Sequence, residues 1–389
     1  MNILHISPYL PSVKENHAGG VTMGHEIEEL RKRHSVYIMT FAASDKDREL
    51  QGELDSGKST VYPLSTADRL GNILRHLNLP LYFAARSEAR FRTRMLQVIR
   101  DFKIDAVHAE YASMGQYLSV KKSYPSLQAN LILHDITYQS YVRKYESAGG
   151  VRKILLWCEK ERVRRCENRY CHQADHVLVF NEKDAALTEQ LYGIRATVIN
   201  TYFDSSQADT DDSCSAAENS MCFVGQMGRP ENNEAGLRLV AIAALLRMQR
   251  EDFCVNIIGS LPTAELQAKE NGYIHVTGFV EDISQAIRRN KIAVFPLTHG
   301  AGIKVKVLLC MAKGVPVITT AVGAEGIDET GQVLTIAETD AEFAAAVSRY
   351  FEMSPEEYKE KRRAVRSYVL EHFNWEKTVQ VFDDLYGEK

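Results

Sequence analysis

Short β-branched runs and longer amphipathic stretches alternate along the whole chain. This alternation is typical of parallel sheets with helices on both faces. In the first half the pattern predicts seven strands: Asn2–Ser7, Ser35–Phe41, Ser59–Pro63, Ala106–Ala109, Asn130–Leu133, His176–Phe180 and Thr197–Ile199. Further on it predicts five more: Met221–Val224, Cys254–Ile258, His275–Val276, Ala293–Pro296 and Val315–Thr319. The pattern therefore predicts an α/β protein with two doubly wound domains.

A polar segment separates the two halves. Residues 205–220 read SSQADTDDSCSAAENS and contain almost no large apolar side chain, so they cannot contribute to a core. We therefore predict a first domain over residues 1–204, a linker over 205–220 and a second domain over 221–369. The last stretch, 370–389, is helical with apolar spacing; the spacing leaves open which domain it contacts, and packing back on the first domain is one prediction. Because ligands of such sheets bind at the carboxyl ends of strands, we expect the active site in a cleft between the domains.

The composition excludes several classes of protein. The 389 residues are 45% hydrophobic and 25% charged, which is ordinary for a globular protein and excludes a wholly disordered chain. A net charge of −4 gives no global positive field for nucleic acid. No apolar run approaches the roughly 18–20 residues that span a bilayer. The N-terminus lacks the features of a secretory signal, and the seven cysteines form no CxxC pair. We therefore expect a cytoplasmic protein with reduced thiols.

Two features of the first half are candidates for ligand contact. Gly19 and Gly20 follow the first strand at a turn into a helix, where the backbone can approach a ligand and the helix N-terminus favours an anion. A tight turn without a ligand is the alternative. His134 directly follows a buried strand, where a histidine can orient or deprotonate a hydroxyl. The alternative is an ordinary loop histidine paired with Asp135.

The richest segment of the second half is residues 295–320. It predicts a strand, a glycine loop, a helix from about Ile303 to Lys313, a turn and another strand. Gly302 precedes the helix, and Lys304 and Lys306 lie in its first turn. Cations at that end oppose the helix dipole unless an anion binds there. The arrangement indicates a phosphate-bearing ligand, with a solvated first turn as the alternative.

Eight segments, in this order, resemble glycosyltransferases of the GT-B fold, in the large retaining family 4 (group 1). They are ILHISPYLPS with HAGGV, VHAEY, LILHDI, CHQADHVLVFNEKD, FVGQMGRPEN, VTGFVEDI, GAGIKVKVLLCMAKGVPVITTAVGAEGI and FNWE. The resemblance runs from Asn2 to about Tyr386. It implies two Rossmann-like domains that face each other across a cleft. It also implies an enzyme, without a metal or other cofactor, that moves a sugar from a nucleotide-sugar to a hydroxyl of a glycan, lipid-linked or protein acceptor with retention. Synthesis of a surface glycan or glycoconjugate is the implied role.

The resemblance also implies roles for individual residues. Gly19 and Gly20 match the glycine loop near the donor phosphates, and His134 matches the histidine that contacts the transferred sugar. The implied catalytic residues are His134 and Lys306. The implied donor-binding residues are Gly19, Gly20, Gly225, Arg229, Phe279, Val280, Gly302, Ile303 and Lys304, with Phe279 and Val280 in the loop that meets the base.

The sequence departs from the family pattern at four positions. Gln226 and Asn232 stand where the family places an Arg and a Lys for the diphosphate. Ala301 and Leu309 stand where it places paired glutamates, and leucine cannot accept a hydrogen bond from the nucleotide ribose. Loss of such a charged acceptor costs about 1.5–3 kcal/mol. The departures support a second hypothesis, a catalytically degenerate GT-B protein that acts as a glycan- or partner-binding subunit.

Charge is unevenly distributed within the first domain. Residues 75–103 carry an excess of five positive charges and residues 150–172 an excess of four. Both stretches are amphipathic, so they predict peripheral contact with the anionic inner face of a membrane that carries a lipid-linked acceptor. A solvated helix face is the alternative. Asp209 and Asp211 superficially match a metal-binding DxD motif, but they lie in the predicted linker, so we expect no metal there.

Overall fold

The chain forms two compact units. The computed structural model describes residues 1–14, 18–42, 45–54, 57–203, 217–300 and 302–387. The first unit comprises Met1–Tyr202 together with Trp375–Lys389, and the second comprises Phe203–Asn374.

A parallel sheet of seven strands forms the centre of the first unit, in the order β3-β2-β1-β4-β5-β6-β7. The strands are β1 Asn2–Ser7, β2 Ser35–Ala42, β3 Ser59–Pro63, β4 Ala106–Glu110, β5 Gln128–Leu133, β6 His176–Val179 and β7 Thr197–Val198. The strand order reverses between β1 and β4. Ligands of doubly wound sheets bind at such a reversal, beyond the carboxyl ends of the strands.

Helices connect these strands. They are α1 Ala18–Arg31, α2 Asp45–Leu50, α3 Thr66–Arg75, α4 Leu81–Ala84, α5 Ala89–Asp101, α6 Tyr111–Met114, α7 Thr137–Glu146, α8 Gly150–Gln173 and α9 Glu182–Tyr192. Two 3₁₀ segments, Gln51–Glu53 and Gly115–Lys122, complete the connections.

The second unit repeats this design with a parallel sheet in the order β10-β9-β8-β11-β12-β13. Its strands are β8 Ala217–Val224, β9 Cys254–Ile258, β10 Ile274–Gly278, β11 Asn290–Phe295, β12 Val317–Thr319 and β13 Thr335–Ile336. Its helices are α10 Pro230–Arg247, α11 Ala264–Gln267, α12 Ile283–Arg288, α13 Val305–Ala312, α14 Ala321–Ala324, α15 Asp340–Glu352 and α16 Pro355–His372. The strand order reverses between β8 and β11. In the described ranges of both units, no helix has the length and apolar character that spanning a bilayer requires.

All twelve predicted strands are present, and the prediction missed β13, which has only two residues. The predicted linker is too long at its C-terminal end, because residues 217–220 belong to β8. Ser220 is buried there, and its hydroxyl accepts a hydrogen bond from the amide of Lys291 at 3.1 Å. A polar residue can therefore begin a central strand when the neighbouring strand satisfies it. Residues 205–216, with Asp209 and Asp211, lie outside the described residues.

The last helical stretch divides between the two units. Phe373 is buried in the core of the second unit. The following helix, α17 Trp375–Tyr386, belongs to the first unit. There the hydroxyl of Thr378 bonds to the amide and the carbonyl of Asn200, at 2.8 and 3.0 Å. The segment that packs back on the first unit therefore begins at Trp375, five residues later than predicted.

Candidate active site

His134 lies just beyond β5 and is held in one orientation. Its Nε2 lies 2.7 Å from Oε2 of Glu110, the last residue of β4. Its ring is stacked on Tyr111, with centroids 3.8 Å apart and planes 6° apart, and lies 4.8 Å from the ring of Phe180. The side chain is 11% exposed. The alternative interpretation of the sequence paired His134 with Asp135. In the structure, Glu110 is the carboxylate that pairs with His134.

The carboxylate of Glu110 accepts hydrogen bonds from the imidazoles of three histidines. Burial alone would raise its pKa, but the hydrogen bonds with His108, His134 and His5 hold the pKa of Glu110 well below its ordinary value. As a carboxylate it can only accept, so Nε2 of His134 carries a proton and donates it to Glu110.

Gly19 lies against this histidine. Gly19 and Gly20 belong to the first turn of α1 and not to a loop, which corrects the prediction. A Cβ atom at Gly19 would lie 1.9 Å from Oη of Tyr111 and 3.4 Å from Nδ1 of His134. The carbonyl of Gly20 accepts a hydrogen bond from the amide of Ser12. Glycine is required at position 19 by this close approach, and the structure brings Gly19 and His134 together.

An aromatic cluster with a buried arginine borders the same strand ends. Tyr9 meets Tyr111 edge-on at 5.4 Å, and its hydroxyl accepts a hydrogen bond from Nη2 of Arg86 at 3.0 Å. The guanidinium lies 4.6 Å from the ring centre of Tyr82. Arg86 is 8% exposed, and no carboxylate of the described residues pairs with it. Sequence reasoning did not select this cluster, because its members are far apart in the chain.

In the second unit, Lys306 is the central cation. It lies in the first turn of α13 and is only partly exposed. Its Nζ donates a hydrogen bond to Oδ1 of Asn232 at 2.5 Å and lies 4.7 Å from the ring centre of Phe223. Burial lowers the pKa of Lys306 to about 8, a shift that Glu231 opposes and Arg229 reinforces. No carboxylate of the described residues forms an ion pair with this ammonium.

The glycine loop before α13 has the backbone shape that only glycine adopts easily. Gly300 and Gly302 have φ values of 125° and 68°. The helix begins at Val305, two residues later than predicted, and Lys304 is its N-cap residue. Nζ of Lys304 donates to the carbonyl of Gly302 at 2.5 Å, and Ile303 packs against the core of the unit. Ala301 lies outside the described residues.

Gly225 and Arg229 follow β8. A Cβ at Gly225 would lie 3.0 Å from the side chain of Asn232, so this turn is tightly packed. Arg229 precedes α10, is about half exposed and pairs with Glu231 at 3.1 Å. Because Arg229 and Glu231 both influence the pKa of Lys306, the structure brings the predicted cations Arg229 and Lys306 into one neighbourhood.

Phe279 and Val280 follow β10. The side chain of Phe279 is 77% exposed, whereas Val280 packs against the core of the unit. Leu309 is half-buried and also packs against that core, so the position of the expected ribose acceptor is apolar.

Three further ionisable side chains lie buried around Glu110. His5, Glu26, His108 and Glu110 form a group in which nitrogen or oxygen atoms of all four residues lie within 4.8 Å of one another, and such a group has the ligand types that bind a metal ion. Sequence reasoning predicted no metal and did not select these residues. The available signal was the presence of His5, His108 and Glu110 inside otherwise apolar strands.

Two family models match the chain. The model described as Glycosyltransferase Family 4 matches residues 19–207, and the model described as Glycosyl transferases group 1 matches residues 218–353. No protein of curated function matches the sequence.

Solved structures match over nearly the full chain. Sucrose-phosphate synthase from Thermosynechococcus elongatus is 17% identical, with a TM-score of 0.72 over 99% of this chain and 98% of its own. HepE of Anabaena, solved in complex with UDP, is 15% identical, with a TM-score of 0.69 over 99% of both chains. TarM is 9% identical, with a TM-score of 0.70 over 100% of this chain and 99% of its own. At these identities the likeness establishes a shared fold.

Proposed function

Because the chain belongs to the GT-B glycosyltransferases of family 4, group 1, we propose that it transfers a sugar with retention of the anomeric configuration and without a catalytic metal. The donor is a nucleotide-sugar, and we propose that the product is a surface glycan or glycoconjugate. The observation that carries this proposal is the partial burial of Lys306 without an ion-pair partner among the described residues. The hydrogen-bond partner of the Lys306 ammonium, Asn232, is neutral.

Transfer from a nucleotide-sugar breaks the bond between the anomeric carbon and a diphosphate, so negative charge develops on the leaving phosphate. Fixed cations and backbone N–H groups stabilise such charge most effectively. Lys306 and Arg229 are the proposed cations, and the backbone of Gly302, Ile303 and Lys304 leads into α13, with Lys304 as the N-cap residue. Positive groups already fixed in place supply the stabilisation that a metal ion gives in other transferases.

The nucleoside is proposed to bind at Phe279 and Val280. An exposed phenylalanine at the carboxyl end of a strand offers a flat apolar surface on which a base can stack. The side chain of Asn232 fills the space that a Cβ of Gly225 would take, so Gly225 is proposed to serve the phosphates by permitting this tight turn.

The transferred sugar is proposed to contact His134. Glu110 holds the proton on Nε2, which leaves Nδ1 on the side of Gly19 to accept a hydrogen bond from a sugar hydroxyl. The nearby Gly19 and Gly20 lie at the amino end of α1, which favours the donor phosphates. Retention without a carboxylate nucleophile corresponds to attack on the face that the leaving group departs from.

The acceptor is proposed to be lipid-linked, at the anionic inner face of a membrane. Large apolar side chains project into solvent from one stripe of α3 and its following loop and from the start of α8: Leu70, Leu74, Leu77, Leu81, Val151, Ile154, Leu155 and Trp157. The two segments adjoin, because the amide of Leu81 donates to Glu159 at 2.8 Å. Arg75, Arg152 and Lys153 lie among them. Apolar side chains flanked by cations fit an anionic bilayer surface. We call these eight residues the apolar patch.

Leu309 favours the second candidate, a binding subunit without turnover, because it removes the expected ribose acceptor. Calorimetric titration with UDP, GDP, CDP, ADP and dTDP separates the two. Selective binding of one nucleotide supports the enzyme, and no binding of any of the five supports the binding subunit.

With the donor in hand, His134→Ala and Lys306→Ala test the residue assignment. We expect both variants to lose turnover at least about tenfold, the usual scale for one transition-state contact. Unchanged turnover in both would refute it.

A further inference from the structure

The buried cluster beneath His134 comes from three elements of the first unit. His5 lies on β1, Glu26 on α1, and His108 and Glu110 on β4, and all four are fully buried. His5 and His108 are directly opposite in the parallel register, and their rings stack with centroids 5.3 Å apart. Residues two apart on a strand point to the same face, so Glu110 joins His108 on the side of α1.

The ligand atoms of the four residues are grouped closely together. Nε2 of His108 lies 2.9 Å from Oε1 of Glu110 and 3.7 Å from Oε2 of Glu26. Nε2 of His5 lies 3.2 Å from the same Glu110 oxygen. A tetrahedral zinc site with bonds of about 2.0–2.2 Å places its ligand atoms about 3.3–3.6 Å apart. These three separations lie between 2.9 and 3.7 Å, and the ligand atoms of all four residues lie within 4.8 Å of one another, so they are grouped closely enough to share one ion.

The cluster also contains buried polar atoms that no other group of the described residues satisfies. Both carboxylate oxygens of Glu26 and Nδ1 of His5 are buried without a hydrogen-bond partner, three of the seven such side-chain atoms in the described residues. No lysine or arginine of those residues pairs with Glu26 or Glu110. A buried carboxylate without a donor is costly, and such groups are normally paired or bound to a metal.

Hydrogen bonds to residues outside the cluster orient two of its four side chains, those of His108 and Glu110. Nδ1 of His108 lies 2.5 Å from the hydroxyl of Tyr386 on α17, and Asn130 donates to that hydroxyl at 2.8 Å. Glu110 offers Oε1 to the cluster, while its Oε2 accepts from His134. Metal-ligating histidines commonly use their second nitrogen in this way, and the outer contacts hold the ligand in place.

We propose that His5, Glu26, His108 and Glu110 bind one divalent transition-metal ion, with Zn²⁺ as the preferred ion. Two imidazoles and two carboxylates are a ligand set that suits zinc, and a charge of +2 neutralises the two carboxylates. Because all four ligands are fully buried, the ion is structural and does not meet the substrate. It ties α1 to β4 and, through Tyr386, stabilises the docking of α17.

The metal content of the intact protein tests the proposal. The chain is produced in zinc-supplemented medium without a polyhistidine tag, and metals are measured by mass spectrometry. We expect about one Zn²⁺ per chain, retained on dialysis against EDTA and released to a chromogenic chelator on unfolding in guanidinium, because metal binding is coupled to folding. Protein refolded with Zn²⁺ should melt at a higher temperature than protein refolded with EDTA.

Glu26→Gln removes one ligand oxygen while keeping the size of the side chain, and we expect it to lower the zinc content at least tenfold. Glu167→Gln is the matched control, because Glu167 is a buried glutamate of the same unit that accepts hydrogen bonds from the amides of Thr137 and Tyr138 and from the hydroxyl of Tyr192. It should keep the full zinc content. If Glu26→Gln does not fold, the wild-type measurements decide. Less than about 0.1 equivalent of Zn, Mn, Fe, Co, Ni and Cu together, with refolding unaffected by added metal, would mean that protons occupy the cluster and overturn the proposal.

Discussion

Nζ of Lys306 donates a hydrogen bond to Oδ1 of Asn232, and Asn232 donates from Nδ2 to the carbonyl of Gln226. Gln226 and Asn232 are the two positions where the family pattern places cations for the diphosphate. Asn232 therefore does more than remove the cation that the family pattern places at this position. Its side-chain amide holds the ammonium of Lys306 without neutralising it. We propose that Lys306 of α13 takes over the role that the pattern gives to the loop after β8.

Replacing Lys306 by methionine should weaken binding of the nucleoside diphosphate selected by titration. A charge-assisted hydrogen bond is worth about 1.5–3 kcal/mol, so we expect a loss of about ten- to a hundredfold in affinity. Asn232→Asp should weaken binding on the same scale, because its carboxylate pairs with Lys306 and competes with the phosphate. Calorimetry measures both. Lys269→Met, at an exposed lysine of the same unit, is the control and should bind normally. Normal binding by Lys306→Met would remove Lys306 from the site.

Binding of the same nucleotide should weaken as pH rises through about 8. The pKa of Lys306 in the folded protein is lowered to about 8 from an ordinary 10.5, so the lysine loses its charge in this range. Lys306→Arg stays charged and should bind almost independently of pH between 7 and 9. The unfolded chain holds the proton longer, so this lysine should make the free energy of unfolding rise between pH 8 and 10.5. Equal pH profiles for the wild type and Lys306→Arg would contradict the assignment.

Adding one methyl group at Gly19 should disrupt the site from the side of α1. In Gly19→Ala the new Cβ would lie 1.9 Å from Oη of Tyr111, so the tyrosine stacked on His134 must move. We expect at least a tenfold loss of turnover with little change in the melting temperature. Gly71→Ala is the matched control, because Gly71 is also helical and its nearest contact would be an ordinary 3.6 Å. It should keep full activity. If the two variants behave alike, the packing of Gly19 does not matter for turnover.

The sequence predicted the fold well because central strands such as β1, β5 and β11 are largely buried apolar runs, as expected of a parallel sheet. The GT-B fold implied by the resemblance is confirmed. The contacts between residues of the candidate site could not be predicted from the sequence. Lys306 and Asn232 are 74 positions apart, and no local pattern pairs them. His5 and His108 were missed for another reason, because isolated polar residues within an apolar run do not alter the predicted strand.

Removing apolar side chains from the apolar patch should reduce membrane binding. We expect the wild type to float with liposomes that contain anionic lipid and not with neutral ones. The double variant Leu155→Ser with Trp157→Ser should bind anionic liposomes at least tenfold more weakly, since it exposes less apolar surface to the bilayer. Met248→Ser, at a methionine of the second unit that is 84% exposed, is the control. Flotation that does not depend on anionic lipid would exclude this surface as a membrane contact.

Phe279→Ala should separate recognition of the base from recognition of the phosphates. Stacking of a base on an aromatic ring is worth about 1–3 kcal/mol, so the variant should bind the selected nucleoside diphosphate about five- to a hundredfold more weakly. Its affinity for inorganic pyrophosphate should be unchanged, because the exposed ring of Phe279 is proposed to contact only the base. Lys306→Met should weaken binding of both probes. Titration of the two variants with the two probes gives four values that test both assignments together. If Phe279→Ala weakened both probes equally, its effect would be on the fold of the second unit, and the base would have to bind elsewhere.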